Sequence, residues 1–168
     1  MSNYLMLGDK RIDLSEELAE MLAQAVKQEP EKVDPFEQAL MGDLYYYIAS
    51  NGGVLKTGEA LIEVDSDRYA VANYCTDKDL MEQRALHETL NRLLWRYSEQ
   101  HGGDHQRNDV EVDHYLIYWD LLNYKWRVTS IAICKELGVV YFKDAQTAQN
   151  AIDEIVMPFV EAHPEFKW

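Results

Sequence analysis

The chain has 168 residues, of which 30 are acidic and 16 basic, giving a formal net charge of −14. An apolar fraction of 47% with 11% aromatic is enough for a buried core, which excludes wholesale disorder, and this length suits one compact domain or two small units sharing a core. The acidity excludes direct binding to nucleic acid or to an anionic membrane, because phosphate contacts need clustered Lys and Arg.

The charge is not confined to a tail. Residues 1–42 carry 9 acids against 4 bases, residues 43–100 carry 10 against 6, and residues 101–168 carry 11 against 6. Acidity spread over a folded chain favours solubility, and it also suits a basic partner surface, including the groove of a nucleic-acid enzyme. No apolar run approaches the length of a membrane span. The start, MSNYLMLGDKRIDL, has no basic stretch followed by a long apolar core, so a cytoplasmic protein is expected. Cys75 and Cys134 fall in apolar, strand-like runs and are expected to be buried free thiols.

In chain order, Tyr4 to Leu7, Gly8-Asp9 and Arg11 to Leu14 read as a short hairpin. Ser15 is an N-cap, with Glu16 and Glu17 in the first turn of a helix to about Gln28. Leu18, Leu22, Ala25 and Val26 form its apolar stripe. Pro30 and Pro35 bracket an acidic linker where that helix cannot continue. Three segments follow from these signals: a hairpin and helix over 1–34, a first sheet-plus-helix module over 35–103, and a second over 104–168, together forming one compact domain. The expected class is α+β, with antiparallel sheets packed against helices.

In the first module Leu44 to Ile48 is a strand, Asn51-Gly52-Gly53 a turn, and Val54-Leu55 the start of the return. Leu61 to Val64 and Arg68 to Cys75 also read as strands. Asp77 caps a helix to about Gln100, striped by Leu86, Leu90, Leu93, Leu94 and Tyr97 and ended by Gly102-Gly103. Residues 104–113 read as a polar surface linker. The second module has a strand from His114 to Asp120, with Tyr115, Ile117 and Trp119 on one face and Leu116 and Tyr118 on the other. Its return strand runs from Trp126 to Cys134, and a third from Val139 to Phe142. Asp144 caps a last helix striped by Ala148, Ile152, Ile155 and Phe159, which Pro158 ends or kinks.

The modules align with each other. Tyr45-Tyr46-Tyr47-Ile48 lies against Tyr115-Leu116-Ile117-Tyr118, Tyr74-Cys75 against Tyr141-Phe142, Asp77 against Asp144, Met81 against Ala148 and Ala85 against Ile152. Two readings stand: an internal duplication, or the likeness that any two such segments show.

The succession YYYI, RYAVANYCTDKDLM, HYLIYWD, KWRV, GVVYFKDAQTAQNAI and HPEF resembles small uncharacterised proteins encoded by phages and prophages of Gram-positive bacteria. It covers nearly the whole chain. Those proteins carry Gly-Asn before an aromatic at the first module's last strand, and a small residue in the helix after it. Here Ala72-Asn73-Tyr74-Cys75 and Met81 depart from that pattern. The resemblance implies an accessory protein of a mobile element in a bacterial cytoplasm. It carries over no catalytic residue.

Motifs for chemistry are absent: no G-x-S-x-G, no phosphate-cradling glycine loop, no C-x-x-C and no H-E-x-x-H. His101, Asp104, His105 and His114 come near metal-ligand spacing, but in a glycine-rich stretch that reads as a solvated loop. His87 reads as solvent-facing. No catalytic, cofactor-binding or metal residue is assigned, and no cofactor is expected. Eleven Tyr and four Trp raise base stacking on a sheet, a mode that also needs Lys and Arg alongside. Most of the rings are expected in the core. Candidate partner-binding residues are Tyr118, Trp119, Asp120, Tyr124 and Trp126 around the second hairpin, since Tyr and Trp anchor interfaces. His163 to Trp168 ends in two aromatics, set to dock on the body or on a partner. Two function classes follow. One is a non-catalytic interaction protein, in its sharpest form an anti-CRISPR-like inhibitor that blocks the basic groove of a host defence nuclease. The alternative is a small-molecule or nucleotide-binding protein, enzymatic or not, with a pocket between sheet and helices.

Overall fold

The computed structural model of the protein describes residues 4–7, 10–13, 15–18, 21, 34–104 and 111–167. The chain is α+β, with antiparallel sheets packed against helices. It divides into two compact units, Met1–Glu37 and Gln38–Trp168.

In the first unit, β1 (Tyr4–Leu7) pairs antiparallel with β2 (Lys10–Asp13), Tyr4 facing Asp13 and Leu7 facing Lys10. Leu18 N donates to Ser15 Oγ at 3.3 Å, so Ser15 caps the helical turn that begins at Glu16. The Gly8-Asp9 turn, the body of this helix beyond Met21 and most of the proline-bracketed linker lie outside the described residues.

In the second unit, β3 (Leu44–Ile48) and β4 (Val54–Gly58) form an antiparallel hairpin. Its turn uses Gly52 at φ +86°, a conformation open to glycine at little strain. On the other side of β3, Tyr46 and Cys75 exchange backbone hydrogen bonds of 2.7 and 3.0 Å. The two strands expected at 61–64 and 68–75 do not form. Glu63–Ala70 is helix α1, and only Cys75 pairs with the sheet. Glu63 and Asp65 fill the first turn and Arg68 the last, which complements the helix dipole. Asp65 Oδ2 also accepts Ala60 N at 3.0 Å, anchoring the start of the helix.

Helix α2 (Lys78–Gln100) starts on the Asp77 cap, whose side chain accepts Leu80 N at 3.0 Å. It ends in a Schellman arrangement, with Gly103 N donating to Ser98 O at 2.8 Å and Gly102 at φ +105°. At about 100° per residue, Met81 and Ala85 lie on nearly the opposite side of this helix from Leu90, Leu94 and Tyr97. The structure uses both sides. Met81 and Ala85 are buried with Ile48 and Cys75 against the first sheet. Leu90, Leu94 and Tyr97 are buried with Phe142, Ala148, Val156 and Phe159 in the larger core.

The second module is a three-stranded sheet in the order β6 (Lys125–Ile131), β5 (His114–Asp120), β7 (Tyr141–Phe142), antiparallel throughout. Tyr115 and Ile117 face the core, as the period-two pattern predicts. Two strands are shorter than expected. The return stops at Ile131, leaving Cys134 exposed, a correction to its expected burial, while Cys75 is buried. The third strand keeps only Tyr141 and Phe142, because Gly138 at φ +82° turns the chain just before it. Asp144 Oδ1 accepts Thr147 N at 2.7 Å and caps α3 (Ala145–Ala151). A π-helical turn (Ile152–Val156) leads into α4 (Met157–Ala162). Pro158 has no N–H to give to the preceding turn. The wider turn just before it accommodates that loss without ending the helix.

The modules share one plan: a hairpin, a third segment bridged to the first strand, and an Asp-capped helix two residues later. The aligned pairs need one adjustment. Cys75 bridges Tyr46, and Phe142 pairs with Tyr115, so Tyr46 and Ile48, not Tyr45 and Tyr47, correspond to Tyr115 and Ile117.

Because α2 belongs to both cores, damage to the first should be felt in the second. Trp95 on α2, Trp119 on β5 and Trp126 on β6 all lie outside the first module's sheet. Met81→Ala removes a side chain buried in that sheet's core and is expected to destabilise by about 2–5 kcal/mol. The expected result is a lower midpoint for denaturant unfolding followed by Trp fluorescence. An unchanged midpoint would show that the two cores melt independently.

Candidate functional site

The second hairpin is the most conspicuous display of large side chains in this unit. Asp120 and Lys125 close its paired region, leaving Leu121 to Tyr124 as the connection. Asp120 builds that turn. Its Oδ1 accepts Leu122 N at 3.0 Å and Asn123 N at 3.1 Å, and its Oδ2 accepts Asn123 Nδ2 at 2.7 Å. Arg127 Nε lies 2.8 Å from Oδ2, an ion-pair distance without hydrogen-bond alignment. These contacts, led by Asn123, hold the Asp120 carboxyl below its ordinary pKa. With the turn pinned, Leu122 is 91%, Tyr124 78% and Leu121 74% exposed. Tyr124 takes φ +50°, unusual for a bulky residue and a mark of imposed local geometry.

Behind the tip, Trp119 and Trp126 face each other across the strands as an edge-to-face pair, ring centroids 5.1 Å apart. Trp126 also packs on the core. Of the five sequence candidates, Trp119, Asp120, Tyr124 and Trp126 gather at this end. Tyr118 points to the other face of β5, opposite Arg127. Asp120 is a scaffold of the turn. Leu121 and Leu122, the exposed apolar groups of this turn beside Tyr124, were missed, because leucines in a predicted turn read as ordinary connection.

A second exposed group, Leu40, Met41, Leu61 and Ile62, was also missed, although each is more than half exposed. Gly42 N donates to Glu59 O at 2.8 Å and joins the two loops that carry it. Leu61 sits at φ +55°, fixed by its N–H bonded to Glu59 Oε1 at 2.8 Å.

Beneath these loops lies a buried polar network. Tyr45 donates to Asp65 Oδ1 at 2.5 Å and accepts from Arg68 Nη1 at 2.7 Å. The Arg68 guanidinium rests 3.7 Å from the Tyr47 ring centroid. Tyr74, stacked on Tyr45 at 3.9 Å, donates to Glu59 Oε2 at 2.7 Å and accepts from Ala39 N at 3.0 Å. Burial, then the neighbouring carboxylates, raise the pKa of both phenols, while the Tyr45 bond keeps Asp65 low. The second module places a similar group on the same strand face. His114 Nδ1 lies 3.0 Å from Asp104 Oδ2, and Lys135 Nζ bonds the same oxygen. Burial opposes ionisation of Asp104, but Lys135 and His114 outweigh it and its pKa falls.

Asp104 and His114 are therefore buried partners, which corrects the solvated-loop reading for these two. His101 stacks on Tyr97 at 4.0 Å, and His105 lies outside the described residues. Among the described residues no group of three or more His, Cys, Asp or Glu is placed to hold a metal ion, and no helix is long and apolar enough to cross a membrane. His87 is exposed, but Phe166 packs on its ring at 4.7 Å and its Nε2 meets Lys167 O at 2.9 Å. The tail thus docks on the body up to Lys167. Trp168 lies outside the described residues. Compared with protein-family models, curated proteins and solved structures, the chain matches none.

The lowered pKa values of Asp65, Asp104 and Asp120 fix a sign for acid stability. Each contributes stability above the ordinary Asp value of about 4, which is lost as pH falls through its depressed folded value. Tm is expected to hold from about pH 7 to pH 5 and to drop below about pH 4. Asp104→Asn should lower Tm at neutral pH and make that drop shallower in a pH series of thermal melts. A variant with the same acid profile would remove Asp104 from the account.

Proposed function

We propose that this protein is a non-catalytic interaction protein that engages a protein partner through the tip of its second hairpin. The observation that carries the reading is that Leu121, Leu122 and Tyr124 are held out in solvent by a turn that Asp120 fixes. A pinned turn loses little freedom on association. Behind it, the Trp119–Trp126 pair has the composition of an interface anchor. The net charge of −14 supports a partner with a basic surface, since complementary charge speeds encounter and rejects acidic competitors. In its sharpest form the protein is a phage or prophage accessory factor that occupies the nucleic-acid groove of a host defence nuclease, as anti-CRISPR proteins do. A second reading, that the protein holds a small molecule, rests on a cavity between α2 and the second sheet.

The test is capture of a basic host nuclease by the purified protein, with affinity measured at two salt concentrations. Affinity is expected to fall as salt screens the complementary charge. Leu122→Asp and Tyr124→Ala, both at exposed positions, should each weaken the complex by about 30-fold, the loss of a 2 kcal/mol hot spot. Failure of any basic nuclease to bind, or binding indifferent to both substitutions, would reject the proposal.

A further inference from the structure

The cavity between α2 and the second sheet has a structural cause. Strand β5 pairs with β7 at Tyr115–Phe142 and Leu116–Tyr141, and the ladder then stops. Continued pairing would set Ile117 against Val140. Instead the chain turns away at Gly138, and about 330 Å³ opens where the ladder would have run on. The wall is apolar: Leu90 and Leu94 from α2, Ile117 from β5, and Val139, Val140 and Phe142. The polar groups are His87, Glu88 and Asn91, all from α2.

This lining defines a ligand class. A dry apolar cavity of about 150 Å³ takes a benzene ring, so roughly twice that volume suits a fused bicycle. Among the described residues no Lys or Arg lines the space, so they offer no counter-charge of the kind a phosphate or carboxylate would need. Glu88 on the rim further disfavours anions, and it already bonds Arg84 and Arg92 at 2.9 and 2.6 Å. Asn91 Nδ2 donates to Gly138 O at 3.2 Å, which leaves its Oδ1 to accept a hydrogen bond from a ligand. An uncharged bicycle with one N–H donor meets each of these conditions.

We propose that this cavity is a binding site for an indole-class group. The occupant is a free, uncharged indole-like molecule, whose N–H would meet Asn91 Oδ1 and whose rings would meet the apolar wall. The site is independent of the hairpin tip, and its failure would leave the protein-interaction reading untouched.

The experiment is calorimetric titration of the full chain with indole and with 1-methylindole, alongside NMR of the Leu94, Ile117 and Val140 methyl groups. Indole is expected to bind and to shift those methyls, with 1-methylindole about tenfold weaker for want of the N–H. Asn91→Ala, at an exposed position, should erase the preference for indole over 1-methylindole without unfolding the protein. No binding of indole, or a preference that survives Asn91→Ala, would overturn the proposal.

Discussion

One helix with two opposed apolar faces joins the two cores of the Gln38–Trp168 unit. Had Met81 and Ala85 lain in line with Leu90, Leu94 and Tyr97, α2 would have had a single buried side, and one of the two sheets would have lacked a cover. A three-stranded sheet leaves an apolar face that must be buried against something. The second module has α3, the π turn and α4 for this, as well as α2. Among the described residues, the first has the opening turns of α2. Its small core of Ile48, Cys75, Met81 and Ala85 is therefore sustained by a helix whose remaining length is anchored elsewhere.

The reverse faces of the sheets are handled by polar chemistry. α1 brings Asp65 and Arg68 to Tyr45, and the segment after β6 brings Lys135 to Asp104 and His114. In both places a carboxylate, a cation and a strand-borne ring meet: the Tyr45 hydroxyl joins Asp65 to Arg68, and the Asp104 carboxylate joins Lys135 to His114. A buried charge is tolerated where hydrogen bonds and an opposite charge replace water. Such groups fix backbone geometry, as Asp65 and Glu59 do by holding the amides of Ala60 and Leu61. Their role is to position loops, and the exposed apolar residues sit on loops positioned this way.

Much of this was legible in the sequence. The caps at Ser15, Asp77 and Asp144, the glycine stop of α2 and the three strand pairings of consecutive strands follow from local rules that act within a few residues. The failures were of another kind. Residues 61–75 carry the composition of strands, yet they form α1 because Asp65 has partners in Tyr45 and Ala60, and no window of sequence contains that information. Cys134 looked buried because Ile131, Ala132, Ile133 and Cys134 make an apolar run, but the chain leaves the sheet at Ile131. At the candidate interface the aromatic content pointed to the right hairpin. It did not separate Asp120, which shapes the turn, from Leu121 and Leu122, which the turn presents.

The π turn at Ile152–Val156 also bears on chain length. Hydrogen bonds spaced five apart instead of four let a helix carry one surplus residue while its two ends keep their facing. Ala148 and Ala151 before the bulge and Val156 and Phe159 after it all reach the same core. A sister sequence one residue shorter at this point would be expected to wind as an unbroken α-helix through the same packing. An alignment gap there would then mark a change of helical pitch, with the fold unaltered.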